Sequence, residues 1–232
     1  MQYNILMKFK LVIFDLDGTL VDSLEDIGDA MNRVLLGRGY PLHSYNKYRF
    51  FVGNGIRNLV IQSLPDAARN ESEVDSCFIE MMVDYGQNYI NKTHLYDGIA
   101  LLLDGIVEKG VKMAILSNKA DAITQKVYAK LLSKWPFEVV MGANDMFPAK
   151  PNPLSALYIA ETVGISAESV VYIGDSDVDM HTARAAMFTA VGAAWGFRSK
   201  LELIEAGAMY TIDKPTELLS LLDCLNSENK NS

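Results

Sequence analysis

Short, β-rich apolar runs alternate with helical patterns along most of the chain, and that alternation leaves few folds open. The runs lie at residues 11–14, 111–116, 138–141, 170–173 and 189–192, with a last short one at 210–212. They read as strands buried on both faces. Helical patterns separate them at 98–108, 121–132, 153–163, 178–186 and 215–222, several opened by Asp, Pro or Ser as helix starts prefer. The expected fold is α/β, a doubly wound, Rossmann-like parallel sheet with helices on both faces. One region breaks the rhythm. Residues 23–92 carry helical patterns at 24–36, 56–64 and 71–89 and no convincing strand. The reading is an α/β core of residues 1–22 and 93–232 with an all-α cap, 23–92, inserted after the first strand and lying over the sheet edge as a lid. The two parts, roughly 160 and roughly 70 residues, fall in the usual domain range.

Composition narrows the partners. Twenty-nine acidic residues against 21 basic ones leave a formal net charge of -8. An acidic surface of this kind repels the nucleic-acid backbone and anionic lipid, so neither is an expected partner. The two cysteines, Cys77 and Cys224, are far apart and form no metal-binding pattern, which argues against a disulfide scaffold or a zinc site. A reducing, cytoplasmic location fits best, as a monomer or small homo-oligomer. The first ten residues hold only the apolar patch Ile5-Leu6-Met7 and no cleavage-site pattern, so no secretory signal is expected. The polar tail 226–232 is expected to fray.

Chemistry-bearing residues gather where strands end, the place where ligands bind in such sheets. Asp15-Leu16-Asp17-Gly18-Thr19 follows the first strand. Its two carboxylates would point to opposite faces if the strand continued, and Gly18 lets the chain turn so that both reach one ligand. A second acidic cluster, Gly174-Asp175-Ser176-Asp177-Val178-Asp179, ends another strand and runs into a helix. Converging carboxylates repel one another, and a hard divalent cation is the usual reason to tolerate this; magnesium is the economical choice. Ser117 and Asn118 offer a hydroxyl and an amide at the end of the 111–116 strand. Lys150, before Pro151, brings positive charge from a position biased to extended backbone. Taken singly, these residues suit a polar turn, a helix start or a solvated loop. Together, four strand ends deliver an acid pair, a hydroxyl, an ammonium and an acid cluster, which make a site for a metal and a dianion.

In this arrangement the chain resembles the haloacid dehalogenase superfamily of aspartate-nucleophile phosphatases. The resemblance is carried by Asp15-Leu16-Asp17-Gly18-Thr19-Leu20-Val21-Asp22-Ser23, Ser117-Asn118-Lys119, Lys150-Pro151-Asn152-Pro153 and the cluster Gly174 to Asp179, all in the family's order. The helical insertion looks like the family's small α-helical cap. Phe51-Val52-Gly53-Asn54-Gly55 and Ala194-Trp195-Gly196-Phe197-Arg198 are similar to segments of the family's phosphoglycolate phosphatases. The resemblance implies a small-molecule phosphate ester as substrate, 2-phosphoglycolate or a similar small anionic or sugar phosphate. It implies Asp15 as the nucleophile and Asp17 as general acid, then base. Magnesium would be held by an Asp15 oxygen, the Asp17 backbone carbonyl and Asp175, with Asp179 as ligand or anchor. Ser117 and Asn118 would hold phosphoryl oxygens, and Lys150 would neutralise their charge.

Phosphomutase-type transfer on the same scaffold, or an inactive regulatory or binding module, are the competing readings. In the cap, Gly53, Asn54 and Gly55 before a helical pattern, with Arg57 or Arg49 as added cation, suit the anionic end of a substrate. Tyr45, Tyr48, Phe50 and Phe51 are candidates to line the pocket. His43, His94 and His181 are isolated and read as structural, and Asp177 is expected to face water. Where relatives usually carry a Gly, this chain has Ala185-Ala186-Met187-Phe188, so a differently closed turn is expected there.

Overall fold

The computed structural model describes residues 8–228; residues 1–7 and the last four of the polar tail lie outside it. Its strands are β1 (Leu11–Phe14), β2 (Val21–Asp22), β3 (His94–Leu95), β4 (Lys112–Ala120), β5 (Phe137–Ala143), β6 (Val170–Gly174), β7 (Thr189–Ala193) and β8 (Tyr210–Ile212). Six of them form a parallel sheet in the order β5-β4-β1-β6-β7-β8. The central strand shows why its run is apolar throughout. Leu11 and Ile13 face α7 (Leu154–Val163) and α8 (Asp177–Ala185), while Val12 and Phe14 face α5 (Ile99–Glu108) and α10 (Glu217–Glu228). All four are fully buried. Side chains alternate along a strand, so a sheet covered twice needs hydrophobes at every position. Strand β4 runs on to Ala120, beyond the apolar run that ends at Leu116, because the polar residues Ser117 to Lys119 find partners in the site described below.

The cap consists of α1 (Leu24–Gly37), α2 (Tyr45–Phe51), α3 (Ile56–Ser63) and α4 (Glu71–Asn88), with a single 3₁₀ turn at Asp66–Ala68. Ile27, Met31, Val34 and Leu35 recur at helical spacing on α1 and pack with Leu59, Val60, Cys77, Met81 and Tyr85. Periodicity does not announce α2, whose seven residues are too few to display it. The two chain crossings between core and cap are tied together: β2 and β3 pair antiparallel, and the buried Asp26 carboxylate accepts from the Lys92 and Thr93 N–H groups and the Thr93 hydroxyl. The lid is therefore joined through a short ribbon rather than two loose strings. No helix among the described residues is long and apolar enough to cross a membrane.

The turn after α8 corrects the expectation of an altered closure. Met187 itself takes the left-handed conformation, φ 59°, with its N–H donating to Arg184 O and that of Phe188 to Ala183 O. This is the usual C-terminal closure, with a side chain where glycine is the easy choice. Met187 is 77% exposed, so little packing is lost by trimming it. Left-handed strain outweighs the extra chain entropy of glycine, so Met187→Gly should stabilise the protein by about 0.5–1 kcal/mol in denaturant unfolding. A loss of stability would contradict the strain argument.

Candidate active site

Asp15 is the first residue beyond β1, and its N–H still donates to Ile173 O of β6 at 2.9 Å, which keeps it beside the end of that strand. The chain then turns sharply: Leu16 O accepts from the N–H groups of Leu20 and Val21 at 2.9 and 3.0 Å, and Gly18 has φ 87°. Gly18 is also required by space, since a Cβ there would stand 2.3 Å from Asp175 Oδ2. Gly174 and Gly196 leave similar room, for Asp179 and for Asp175, with hypothetical Cβ contacts of 2.3 and 2.2 Å. Three glycines thus let two strand ends and a loop close around the acids.

Within that space the carboxylates of Asp15, Asp175 and Asp179 offer oxygens that all lie within 4.8 Å of one another, and all three residues are buried. Lys150 Nζ stands among them, donating to Asp15 Oδ1 at 2.8 Å, Asp179 Oδ1 at 2.7 Å and Leu116 O at 3.1 Å. Asp175 is held by Thr19 Oγ1 at 3.1 Å and the Phe197 N–H at 2.7 Å. Asp179 also closes a capping box with Ser176 at the start of α8, so its helix-start role and its place in the cluster coexist. Asp177, one turn position away, faces water as expected.

The electrostatics follow from burial. Desolvation, then the negative charge of Asp179, push Asp15 up to about 7, and Lys150 only partly offsets them. Asp175 is driven well above the carboxylate range by burial and by its two acidic neighbours. Burial alone would lower the Lys150 ammonium, but Asp15 and Asp179 more than reverse this and hold it firmly charged. One ammonium pairs with two of the three buried acids and none pairs with Asp175, a surplus of hard oxygen donors that fits a divalent cation.

Around this cluster stand the remaining predicted residues. Ser117 is buried, and its Oγ accepts from the Lys119 N–H at 3.2 Å, leaving its own O–H to donate into the cavity it lines. Asn118 differs from expectation. Its amide donates to Lys150 O and to Gly53 O of the cap and accepts from the Lys150 N–H, so the side chain braces the backbone instead of standing open to a phosphoryl oxygen. The Asp17 carboxylate lies outside the three-acid cluster. It accepts from both Ser23 Oγ, at 2.6 Å, and Lys119 Nζ, at 2.8 Å to each oxygen.

The core lines the cavity with Asp15, Asp17, Ser117, Asn118, Lys119 and Lys150, and the cap closes it with Ile27, Val52, Gly53, Gly55, Ile56 and Leu59. Two predicted cap residues are elsewhere. Asn54 is exposed and is not among the lining residues. Arg57 pairs with Glu71 and Asp75 at the start of α4, because helix packing sets those carboxylates within its reach. The cap wall is therefore apolar and main chain, not cationic. The aromatic candidates are packing residues or surface groups: Tyr48 and Phe51 lie in the cap core, Tyr45 donates to Asp29, and Phe50 is exposed beneath Arg198. His43 bonds Ser63 O and packs edge-on against Tyr48 and Phe51, a structural role. Arg49 donates to Gly196 O at 2.7 Å. Arg198 returns the contact, donating to the carbonyls of Arg49 and, at 3.0 Å, Val52, so core and cap grip each other beside the acids.

The sequence and the fold have counterparts in known proteins. The family model described as haloacid dehalogenase-like hydrolase matches residues 12–193. The chain belongs to the haloacid dehalogenase-like hydrolases. A phosphoglycolate phosphatase of Nitrosococcus oceani is 30% identical over 219 residues, 92% of this chain and 96% of that protein. Another, of Xanthomonas campestris pv. campestris, is 32% identical over 195 residues, 83% of this chain and 86% of its own length. Among solved structures, one described as a predicted phosphoglycolate phosphatase from Haemophilus somnus superposes with a TM-score of 0.86 at 25% identity, covering 93% of this chain and 99% of that one.

For this haloacid dehalogenase-like hydrolase, the residue that sequence reasoning passed over is Lys119. The motif Ser117-Asn118-Lys119 implies no task for it, yet it is buried and holds the Asp17 carboxylate. Its position two residues after Ser117 on a strand was the available signal, since strand alternation puts i and i+2 on one face.

Proposed function

We propose that the protein is a magnesium-dependent phosphatase of small phosphomonoesters, 2-phosphoglycolate or a similarly small anionic or sugar phosphate. Residues 1–22 and 93–232 form its catalytic core and 23–92 its cap. The observation that carries this reading is the Lys150 ammonium set between Asp15, just past β1, and Asp179 in the first turn of α8, 2.8 and 2.7 Å from them. An attacking carboxylate and a fixed cation side by side suit a phosphoryl group better than any neutral ligand. In the first half-reaction an Asp15 oxygen bonds to phosphorus as the bond to the ester oxygen breaks, and Asp17 gives that oxygen a proton. In the second, Asp17 takes a proton from the water that attacks the aspartyl phosphate, restoring Asp15 and releasing phosphate. The Ser117 hydroxyl and Lys150 hold the phosphoryl oxygens, where charge is spread in a loose transition state. A magnesium ion held by Asp15, Asp175 and Asp179 would screen the repulsion between nucleophile and substrate. The apolar cap wall of Ile56 and Leu59 supports a short leaving group, and the relatives named phosphoglycolate phosphatase agree with that size.

Phosphate release should be measured over 2-phosphoglycolate, sugar phosphates, nucleotides and pyrophosphate, with magnesium and with chelator. Magnesium-dependent release from a small ester is expected; a panel without turnover refutes the reading. The metal assignment has a second readout in stability. Saturation to about a hundred times Kd should raise the unfolding free energy by about 2.7 kcal/mol and Tm by roughly 5–10 °C. Asp175→Asn should lose that response, yet melt in chelator no lower than the unaltered protein. Its amide oxygen can still accept from Phe197 N–H and its NH₂ can donate to Thr19 Oγ1, while one buried charge disappears. A magnesium shift that survives the substitution would remove Asp175 from the ligand set.

A further inference from the structure

Lys119 looks like a phosphate ligand by type and place, but its hydrogens are already committed. Nζ donates to Asp17 Oδ1 and Oδ2, each at 2.8 Å, and to Tyr85 Oη at 2.6 Å, three acceptors for three N–H bonds. The ammonium also lies 4.7 Å from the centre of the Tyr85 ring. Its side chain is only 2% exposed, so the bonds are made almost entirely away from bulk water. Tyr85 is fully buried on α4 and belongs to the cap, whereas Lys119 belongs to core strand β4. A third contact comes from the entrance to the cap, where Ser23, at the start of α1, donates to Asp17 Oδ1 at 2.6 Å. Asp17 is thus aimed by donors from two directions, and the stronger one is itself aimed by a cap helix.

We propose that Lys119, oriented by Tyr85 of the cap, is the positioning residue for Asp17, holding its carboxyl group in the one orientation that serves the ester oxygen while α4 is seated on the core. The proposal rests on the reading of Asp17 as acid and base given above. A carboxylate freed from such a brace turns about its side-chain bonds, and misplacement by an ångström is enough to cost on the order of 10²-fold in rate. The damage should fall on proton transfer and not on phosphoryl binding, because Lys150 and Ser117 are untouched. Cap seating and acid–base readiness then become one event, linked through a single buried ammonium.

The test is a leaving-group series of p-nitrophenyl, phenyl and ethyl phosphate, assayed with Lys119→Met and Tyr85→Phe. A nitrophenolate departs without a proton and an alkoxide does not, and kcat/KM reports only the step in which the ester oxygen leaves. Lys119→Met should lower kcat/KM by about 10²-fold for ethyl phosphate and less than about fivefold for p-nitrophenyl phosphate. Tyr85→Phe should show the same trend with a shallower slope, losing about tenfold for ethyl phosphate and almost nothing for p-nitrophenyl phosphate. With p-nitrophenyl phosphate, Lys119→Met should show a burst of nitrophenolate equal to the enzyme, since transfer to Asp15 continues while water attack slows. Equal losses across the three esters overturn the proposal, as does a burst-free Lys119→Met with a flat slope. If Lys119→Met does not fold, Tyr85→Phe, which removes one oxygen and keeps the ring, decides by its own slope. Release of nitrophenolate by Asp15→Asn at the full rate would instead overturn the underlying nucleophile reading, a result separate from a flat slope.

Discussion

Asp15→Asn should abolish turnover, with phosphate release from 2-phosphoglycolate falling by about 10⁵-fold, as when a nucleophile that acts through a covalent intermediate is lost. The fold should survive. The amide has the shape of the carboxyl, keeps an oxygen for Lys150 Nζ, and relieves a cluster in which burial and Asp179 already push Asp15 up to about 7. A Tm equal to or a few degrees above that of the unaltered protein would separate the loss of chemistry from a loss of structure. Rapid quench with labelled substrate should show acid-stable label on the unaltered protein and none on the variant. Residual turnover within about a hundredfold of normal would mean that another group attacks phosphorus, and the aspartyl phosphate would have to be given up.

Lys150→Met should injure both rate and stability. Its ammonium is 3% exposed and bridges two carboxylates that are 11% and 0% exposed. Removing one partner of a buried ion pair leaves uncompensated charge, which costs about 3–5 kcal/mol, or roughly 6–20 °C in Tm for a chain of this size. Turnover should drop by about 10³-fold, the usual effect of losing one fixed charge that faces the transferring group. Magnesium separates the two injuries. A bound cation can replace the missing charge among the acids, so thermal stability should recover in part with magnesium while the rate does not. Unfolding within a degree of the unaltered protein in chelator would mean that the acids are not charged against one another, contrary to the arrangement around Nζ.

The strands and their ends were open to reading because their signals are local. Four consecutive hydrophobes such as Leu11 to Phe14 state a doubly buried strand, and the residue after a strand's last hydrophobe stands at its carboxyl end wherever the strand lies. That is why Asp15, Ser117 and Asp175 are legible from their strand ends; Lys150, in the loop between β5 and α7, is legible only from its charge and its place before Pro151, and the structure brings all four to one cavity or to the acid cluster beside it. Arg57 and Asn118 show where this reasoning stops. Both have the right chemistry at the right address, but Arg57 is taken by Glu71 and Asp75, and the Asn118 amide by backbone groups of Lys150 and Gly53. Residue type states what a side chain can bond, not which neighbour reaches it first.

The sequence alone therefore determined the layered α/β plan, the helical insertion and the set of acids and cation at the strand ends, since hydrophobic period and strand termini are properties of a few adjacent residues. Tertiary structure decided everything that depends on a partner distant in the chain. It set Tyr85 against Lys119, Arg198 against the end of α2, and the glycines Gly18, Gly174 and Gly196 against the carboxylates they make room for. Those choices turn on distances of a few ångströms between segments that only packing brings together, and short-range polar contacts lose their meaning beyond that reach.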